Sequence, residues 1–475
     1  MNDVTALAAG FEPASEEAWL ALVRKTLKDR PVESLDGATV EGLPIRPLYP
    51  PARDARPLIG PRDPVRPWDV RALTRHPDPL QANRELLADL AGGAASVVVR
   101  IDPTGQDGVA VGSAEGLAQA LEGIELELAP VALDAGFLGS KAADWLHAVA
   151  KSSPAARLQF HLDPLSALAE AGASPGPIEG HLIAAATVAA RLAQPYPKAG
   201  LFLASGRIAH EAGGGEAAEI AFAAAAGLAY AKAMVRQGLS MEAAFAGVTL
   251  GLAADSDVFL SLAKLRAARL VWARIAEACG AAPTARIEAR ASRRMLAAQD
   301  AWTNMLRLTA AGFAAAAGGA DAVVLGCFTD PLGLPTAFAR RQSRNTQLVL
   351  MEEAHVGRVA DPAAGSGYVE SLTDQLARVA WDRFQAIEAA GGIVNALASG
   401  LIARDVDAAR AAREAAGQPR IVGVTAFPPQ KDEIPEVVRV EPRAVEAPSP
   451  RLPGPDSTCP PLTPIRLSAP YEAAQ

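Results

Sequence analysis

The stretch 201-LFLASGRIAHEAGGGEAAEIAFAAAAGLAYAKAMVRQGLSMEAAFAGVTLGL-252 reads as one strand–helix–strand unit. Residues 201–205 and 247–252 have the composition of short strands, and the alanine-rich run 215–237 between them is helical. Working outward, the same alternation recurs. The predicted strands are 96-SVVVRI-101, 124-IELELA-129, 157-RLQFHL-162, 201-LFLAS-205, 247-GVTLGL-252, 285-ARIEAR-290, 322-AVVLGC-327 and 357-GRVAD-361. Alanine-rich helices lie between them, as at 259–279 and 300–317. Eight βα units over roughly 350 residues predict an α/β fold, a TIM (β/α)8 barrel with insertions. No GxGxxG opens a helix after the first strand, which argues against an open doubly wound sheet.

The barrel pattern has distinct flanks, so the chain divides into 1–68, 69–420 and 421–475. In 15-SEEAWLALVRKTLKD-29, Ser15 is a candidate N-cap and Trp19, Leu22, Val23 and Leu27 form one apolar stripe. Such a short helix is not stable alone and needs a docking surface. The proline- and arginine-rich run 41–68 reads as an extended strap lying across another surface. The proline-rich tail 426–475 either wraps a partner or is partly disordered.

Composition narrows the function. Hydrophobic residues make up 50% of the chain, net charge is −8 and the pI is about 5.5. Basic residues are scattered singly, which excludes a nucleic-acid stripe. The run 220-IAFAAAAGLAYAKAM-234 is too short and weakly apolar for a membrane span. MNDVTALAAGFEPASEEAW has neither a basic n-region nor an apolar h-region, so a cytoplasmic location is expected. Cys279, Cys327 and Cys459 are isolated, and predict reduced thiols rather than zinc or disulfides.

Several longer motifs resemble the methylmalonyl-CoA mutase family, coenzyme B12-dependent isomerases that move a carbonyl-CoA group between neighbouring carbons. They are 17-EAWLALVRKTLKDRPVESLDGATVEGLPIRPLYP-50, 67-PWDVRALTRHPDP-79, 262-LAKLRAARLVWARI-275, 299-QDAWTNMLR-307, 344-RNTQLVLMEE-353 and 361-DPAAGSGYVESLTD-374. The resemblance implies the barrel fold and an N-terminal arm that associates with a partner subunit. It places 67–79 where catalytic members carry a tyrosine on the substrate's path.

The residues that do the family's chemistry are replaced. Catalytic members have a Ser-Gly-Tyr-His turn, whose tyrosine drives cobalt–carbon homolysis and whose histidine bonds the thioester carbonyl. Here the turn is 205-SGRIAHEAGG-214, with Arg207 and Ile208 at those positions. Isoleucine cannot hydrogen-bond a carbonyl. His210 falls a helical step away and reads as a solvated histidine at a helix entry. The family's Arg-x-His-x-Gln strand is 286-RIEAR-290 here, giving Glu288 and Arg290, and its Thr-Ser-Gly-Trp is 291-ASRR-294. An inward Glu288 would repel an anionic substrate. None of the histidines at 76, 147, 161, 181, 210 and 355 completes the Asp-x-His-x-x-Gly cobalamin signature. The segment 465-IRLSAPYE-472 resembles the one that precedes a cobalamin-binding domain, so no such domain is expected in this chain.

The resemblance therefore implies a small subunit with no catalytic, cofactor-binding or metal-ligating residues of its own. It would support a large subunit, in a heterodimer, that carries adenosylcobalamin and interconverts (R)-methylmalonyl-CoA and succinyl-CoA. An alternative is the substrate-binding chain of a split B12-dependent acyl-CoA mutase that uses a separate cobalamin-binding protein. A third is a CoA-ester-binding scaffold without a mutase partner.

Alternation puts Arg286, Glu288 and Arg290 on one strand face and Glu125 and Glu127 on another, with Arg100 and Arg207 adding charge. If these point inward, ion pairs fill the barrel axis and Glu288 lies within salt-bridge distance of an arginine. The run 213-GGG-215 reads as a flexible loop rather than a phosphate cradle, and 264-KLRAAR-269 as a solvated basic helix face.

Overall fold

The computed structural model describes Gly10 and residues 15–472. The expectations about the leader upstream of residue 15 concern mostly residues outside that set. Eight parallel strands close into a barrel: β1 Asp69–Thr74, β2 Ser96–Arg100, β3 Val131–Asp134, β4 Leu158–Leu162, β5 Gly200–Ser205, β6 Val248–Ala254, β7 Arg286–Ala291 and β8 Ala322–Val324. β8 pairs with β1, in the register Ala322↔Asp69, and completes the ring.

Two predicted strands are corrected. Residues 124–129 form a turn, in which Leu128 and Ala129 both donate to the Glu125 carbonyl. Ile124 and Leu126 are buried while Glu125 and Glu127 are exposed, so the turn imitates strand alternation. The true strand follows Pro130, and the two glutamates take no part in the barrel interior. Residues 357–361 form a loop that ends in buried Asp361. The remaining strand is β1, at the other end of the barrel sequence, where Arg71 breaks the apolar pattern of 69-DVRALT-74.

Alanine decides how the outer layer packs. The helix Glu216–Arg236 is buried along most of its length, because small side chains let neighbours approach on every face. Phe202 of β5 stacks on Tyr230 inside this layer, with ring centroids 4.4 Å apart. At Gly227 a Cβ would lie 2.7 Å from the Trp272 ring, so only glycine admits that contact.

The N-terminal strap lies across the chain's own helix layer. Leu58 N donates to Asp361 (2.8 Å), Arg62 to the Ala316 carbonyl (2.7 Å) and Trp68 Nε1 to Gln347 (3.3 Å). Glu41 accepts from Ala217 N (2.9 Å) and pairs with Arg383. A carboxylate thus sits at the N-terminus of Glu216–Arg236, where the helix dipole favours it. Gly213–Gly215 is therefore neither a flexible loop nor a phosphate cradle: Gly213 and Gly214 turn their carbonyls to Arg413, and Arg294 also donates to Gly214. Upstream, the helix Glu16–Leu27 is capped by Ser15 Oγ, which accepts from Ala18 N (3.1 Å). It buries Leu27 alone and leaves Leu22 64% exposed.

The described part of the proline-rich tail wraps the barrel itself, over the loops at the C-terminal ends of the strands. Val445 N donates to the Pro103 carbonyl (2.8 Å), Leu452 N to Pro175 (2.9 Å), Cys459 N to Gly172 (2.9 Å), Ile465 N to Glu211 (2.8 Å) and Leu467 N to Arg294 (3.0 Å). Intervening prolines have no N–H to satisfy, so an extended chain can lie here without a strand partner. The strap presses on glycines: a Cβ at Gly112 would fall 1.9 Å from the Glu446 carbonyl oxygen, and one at Gly176 2.5 Å from that of Leu452. Gly112→Val is expected to lift the strap without unfolding the barrel. Overpacking of about 1–3 kcal/mol corresponds to a gain of roughly 5- to 150-fold in the open population. Limited trypsinolysis at Arg443 and Arg451, followed by mass spectrometry, should accelerate accordingly while the barrel core stays resistant.

Candidate functional site

Inward-facing residues of the barrel divide into an apolar set and a charged set. Leu73, Val98, Ala132 and Val324 pack together inside the ring. Across the remaining interior runs an ion-pair chain centred on Glu288. Arg71 Nη1 lies 2.6 Å from Glu288 Oε2, Arg290 Nε 2.7 Å from Glu288 Oε1, and Arg290 Nη1 2.8 Å from Asp134. Arg71 also donates to Ser96 Oγ (2.9 Å), and Arg100 lies 3.7 Å from Asp134. Arg286, on the same face, is half-buried at the foot of the barrel and donates to the Ala246 carbonyl.

Burial alone would raise the Glu288 pKa, but Arg290 and Arg71 override it and hold the carboxyl well below the usual carboxylate range. Asp134 is depressed in the same way: burial opposes ionisation, and Arg100 and Arg290 outweigh it. Burial opposes the charge of Arg290, yet Glu288 and Asp134 raise its pKa above the ordinary arginine value. Every carboxylate in this chain of charges is thus met by a cation, as buried charge requires.

At the C-terminal ends of the strands the interior opens into a cavity of about 380 Å³. Arg207 and Ile208, at the start of the helix Arg207–Glu211, form part of its wall, with Phe137, Leu138 and Leu203. Pro450 and Pro464 of the strap also line it. His161 of β4 reaches the same space from a bulged backbone, at φ +46°, which re-aims the side chain. Its ring is wholly buried, with Nδ1 3.9 Å from Glu288 Oε2. Burial pushes its pKa down to about 4, so the imidazole is neutral at pH 7. Asp163 accepts from Tyr230 Oη at 2.6 Å, and burial pushes its pKa up to about 7.

Arg207 and Ile208 therefore lie on the cavity wall, and Glu288 and Arg290 in the ion-pair chain. His210 belongs to neither. Its side chain is wholly buried rather than solvated, with Nε2 2.8 Å from Ser292 Oγ and Nδ1 3.2 Å from Glu219. It points away from the mouth, into a separate charge cluster where Lys264 pairs with Glu219 at 2.6 Å. Lys264 and Arg266 are likewise buried, not on a solvated face; Arg266 is clamped between Asp361 and Glu370. Long cations are tolerated there because acids from other elements meet each one. Sequence reasoning passed over Arg71, Asp134, His161 and Asp163. Alternation in 157-RLQFHL-162 places Gln159 and His161 on one face and could have flagged the histidine.

The site offers no hydrogen-bond donor where Ile208 stands, and its floor is occupied by paired charges. Comparison with known proteins fits this geometry. The profile of the methylmalonyl-CoA mutase family matches residues 64–451. The chain belongs to that family. It is similar to the methylmalonyl-CoA mutase small subunit of Streptomyces virginiae, with 40% identity over 457 residues, 90% of this chain and 72% of that one. The probable methylmalonyl-CoA mutase small subunit of Mycobacterium tuberculosis (strain ATCC 25618 / H37Rv) is 40% identical over 397 residues, 78% of this chain and 62% of that protein. The methylmalonyl-CoA mutase of Cereibacter sphaeroides is 30% identical over 471 residues, 90% and 66% of the two chains. The chain thus spans about two thirds of the length of these relatives, and by similarity it groups with the small subunits of the mutase family.

Two outcomes follow for this mutase-family barrel. Glu288→Ala leaves Arg71 and Arg290 without their shared partner and should cost about 3–5 kcal/mol, read by urea denaturation. Replacing Arg71, Asp134, Glu288 and Arg290 together with Met, Asn, Leu and Met, which strands no carboxylate of the ion-pair chain, should cost far less. His161 is neutral in the fold and titrates near 6.5 when unfolded, so its contribution is intact above pH 6.5 and lost as pH falls toward 4. That loss amounts to roughly 3 kcal/mol. His161→Gln should flatten the stability profile between pH 6.5 and 4 in the same denaturation experiment.

Proposed function

We propose that this chain is the supporting small subunit of a methylmalonyl-CoA mutase and does no chemistry itself. The observation that carries this reading is the ion-pair chain Arg71–Glu288–Arg290–Asp134 lying across the barrel axis. An acyl-CoA substrate would have to thread its pantetheine arm through that space and would meet a buried, paired carboxylate. At the mouth, Ile208 offers a thioester carbonyl nothing to hydrogen-bond, so the electrophilic contribution expected of such a site is missing.

Adenosylcobalamin does not fit this mouth. A cavity of about 380 Å³ with prolines of the strap along its rim is far smaller than a corrin ring and its nucleotide loop. The cofactor, the radical rearrangement and the choice of acyl group therefore belong to a large partner subunit. The names of the small-subunit relatives accord with such a partner. Towards it the chain extends the helix Glu16–Leu27, whose apolar stripe has little covering it in the barrel: Trp19 and Val23 are half-buried and Leu22 is largely exposed.

The test is co-purification of the chain from its host, with cobalamin counted in the complex. One cobalamin per pair of unlike chains, with the cofactor on the larger, is the expected result. A partner consisting of a cobalamin-binding domain alone, or two cobalamins per pair, would overturn the reading.

A further inference from the structure

A supporting role leaves the mouth cavity unused, yet the cavity wall carries an arginine that no described group hydrogen-bonds. Arg207 makes no hydrogen bond and no ion pair with any described residue, and its Nε is shut away from solvent. Burial weakens its hold on the proton and Arg290 adds repulsion, while Asp134, Glu211 and Glu288 oppose both through space without forming a pair, and a guanidinium stays charged in protein surroundings. The side chain is half-buried, and its Nη groups have no partner among the described residues, so they are free to take an anion in the cavity.

The acids around it are already engaged. Asp134 is held by Arg290 and Arg100, and Asp107 by Arg75 and Arg100. Asp102 accepts from the backbone N–H groups of Thr104, Gln106 and Asp107. Glu211 accepts from those of Arg293 and Arg294, and Asp163 from Tyr230. Glu170 sits exposed at the rim. Further unpaired nitrogens lie in the same region: Arg290 Nη2 and both ring nitrogens of His161. A neutral imidazole supplies one donor there.

We propose that the mouth cavity binds a small aliphatic carboxylate. Its two oxygens would take the fork of Arg207, a geometry that carboxylate matches and a point charge does not. Its chain would lie against Phe137, Leu138, Leu203 and Ile208, the apolar part of the wall. A phosphate would leave that wall in contact with polar oxygens and would ask for more donors than the site has free. The volume of about 380 Å³ is at the small end for ligand pockets. The ion pairs below close the floor, so a short acid fits and a long thioester does not. This inference concerns the chain's own cavity and holds or fails independently of the partner subunit's identity.

The experiment is calorimetric titration of the full chain with hexanoate, using hexanol and hexylammonium as controls. Saturable binding of one hexanoate is expected, with neither control competing. Arg207→Gln should weaken it about tenfold or more, since a charged hydrogen bond contributes about 1.5–3 kcal/mol. Arg207→Lys should fall between, keeping the charge and losing the fork. Matched circular dichroism and melting curves verify folding of each variant. In the unaltered chain, hexanoate should also protect Arg207 from phenylglyoxal, followed by peptide mass spectrometry. Absence of saturable hexanoate binding below about 20 mM, equal binding by Arg207→Gln, or hexanol binding as well as hexanoate would each overturn the proposal. Tight binding of a CoA ester with no hexanoate binding would overturn it too, and would also contradict a closed floor.

Discussion

The Glu288 carboxylate, held between Arg71 and Arg290, is the contact on which the rest of this barrel's character depends. Its energetics are not those of a simple stabiliser. Taking each ion out of water costs several kcal/mol, and the attraction between close charges repays this only when each finds its partners. At an effective dielectric of about 20, an opposite charge at 4 Å returns about 4 kcal/mol. The two terms are of similar size, so the network adds little net stability over an apolar core. What it fixes is occupancy: large side chains are committed to the axis and cannot swing aside without stranding a charge. A barrel filled this way keeps the eight-stranded shape and commits its interior to paired charges.

The motifs that carry the family likeness turn out to hold the molecule together. Asp361 and Glu370, both within 361-DPAAGSGYVESLTD-374, clamp the buried Arg266, and Asp361 also receives the strap at Leu58. Gln347 of 344-RNTQ-347 receives Trp68, and Arg344 pairs with Asp89 at 3.0 Å. These residues join the N-terminal strap to the last barrel turn and lie in the helix layer.

Much of the fold was legible because parallel strands buried on both faces give compact apolar runs, and alanine-rich helices between them give long, distinct ones. The reading failed where charge enters the interior or a turn mimics a strand. Arg71 disguised β1, and Ile124 and Leu126 gave a turn the alternation of a strand. At the site, Arg207, Ile208, Glu288 and Arg290 were singled out by the family resemblance together with strand alternation. Asp134 was not, since it lies on the strand hidden behind that turn; His161 stood on the alternating face of a predicted strand, but the bulge that aims it left no local mark. Lys264 and Arg266 looked solvated because their partners, Glu219, Asp361 and Glu370, come from distant parts of the chain. Pairings of that kind are set by the tertiary fold and leave no mark on local pattern.

The strap adds a second closure from outside, over the loops that would otherwise frame an open mouth. Floor and rim together leave a small chamber of about 380 Å³ at the mouth, and on the proposed reading a long thioester does not enter it. Equilibrium dialysis of the isolated chain against labelled methylmalonyl-CoA tests this most directly. The account predicts no saturable binding below about 1 mM. Micromolar, stoichiometric binding that is lost on filling the axis further would contradict it, and would mean that the paired charges part to admit substrate.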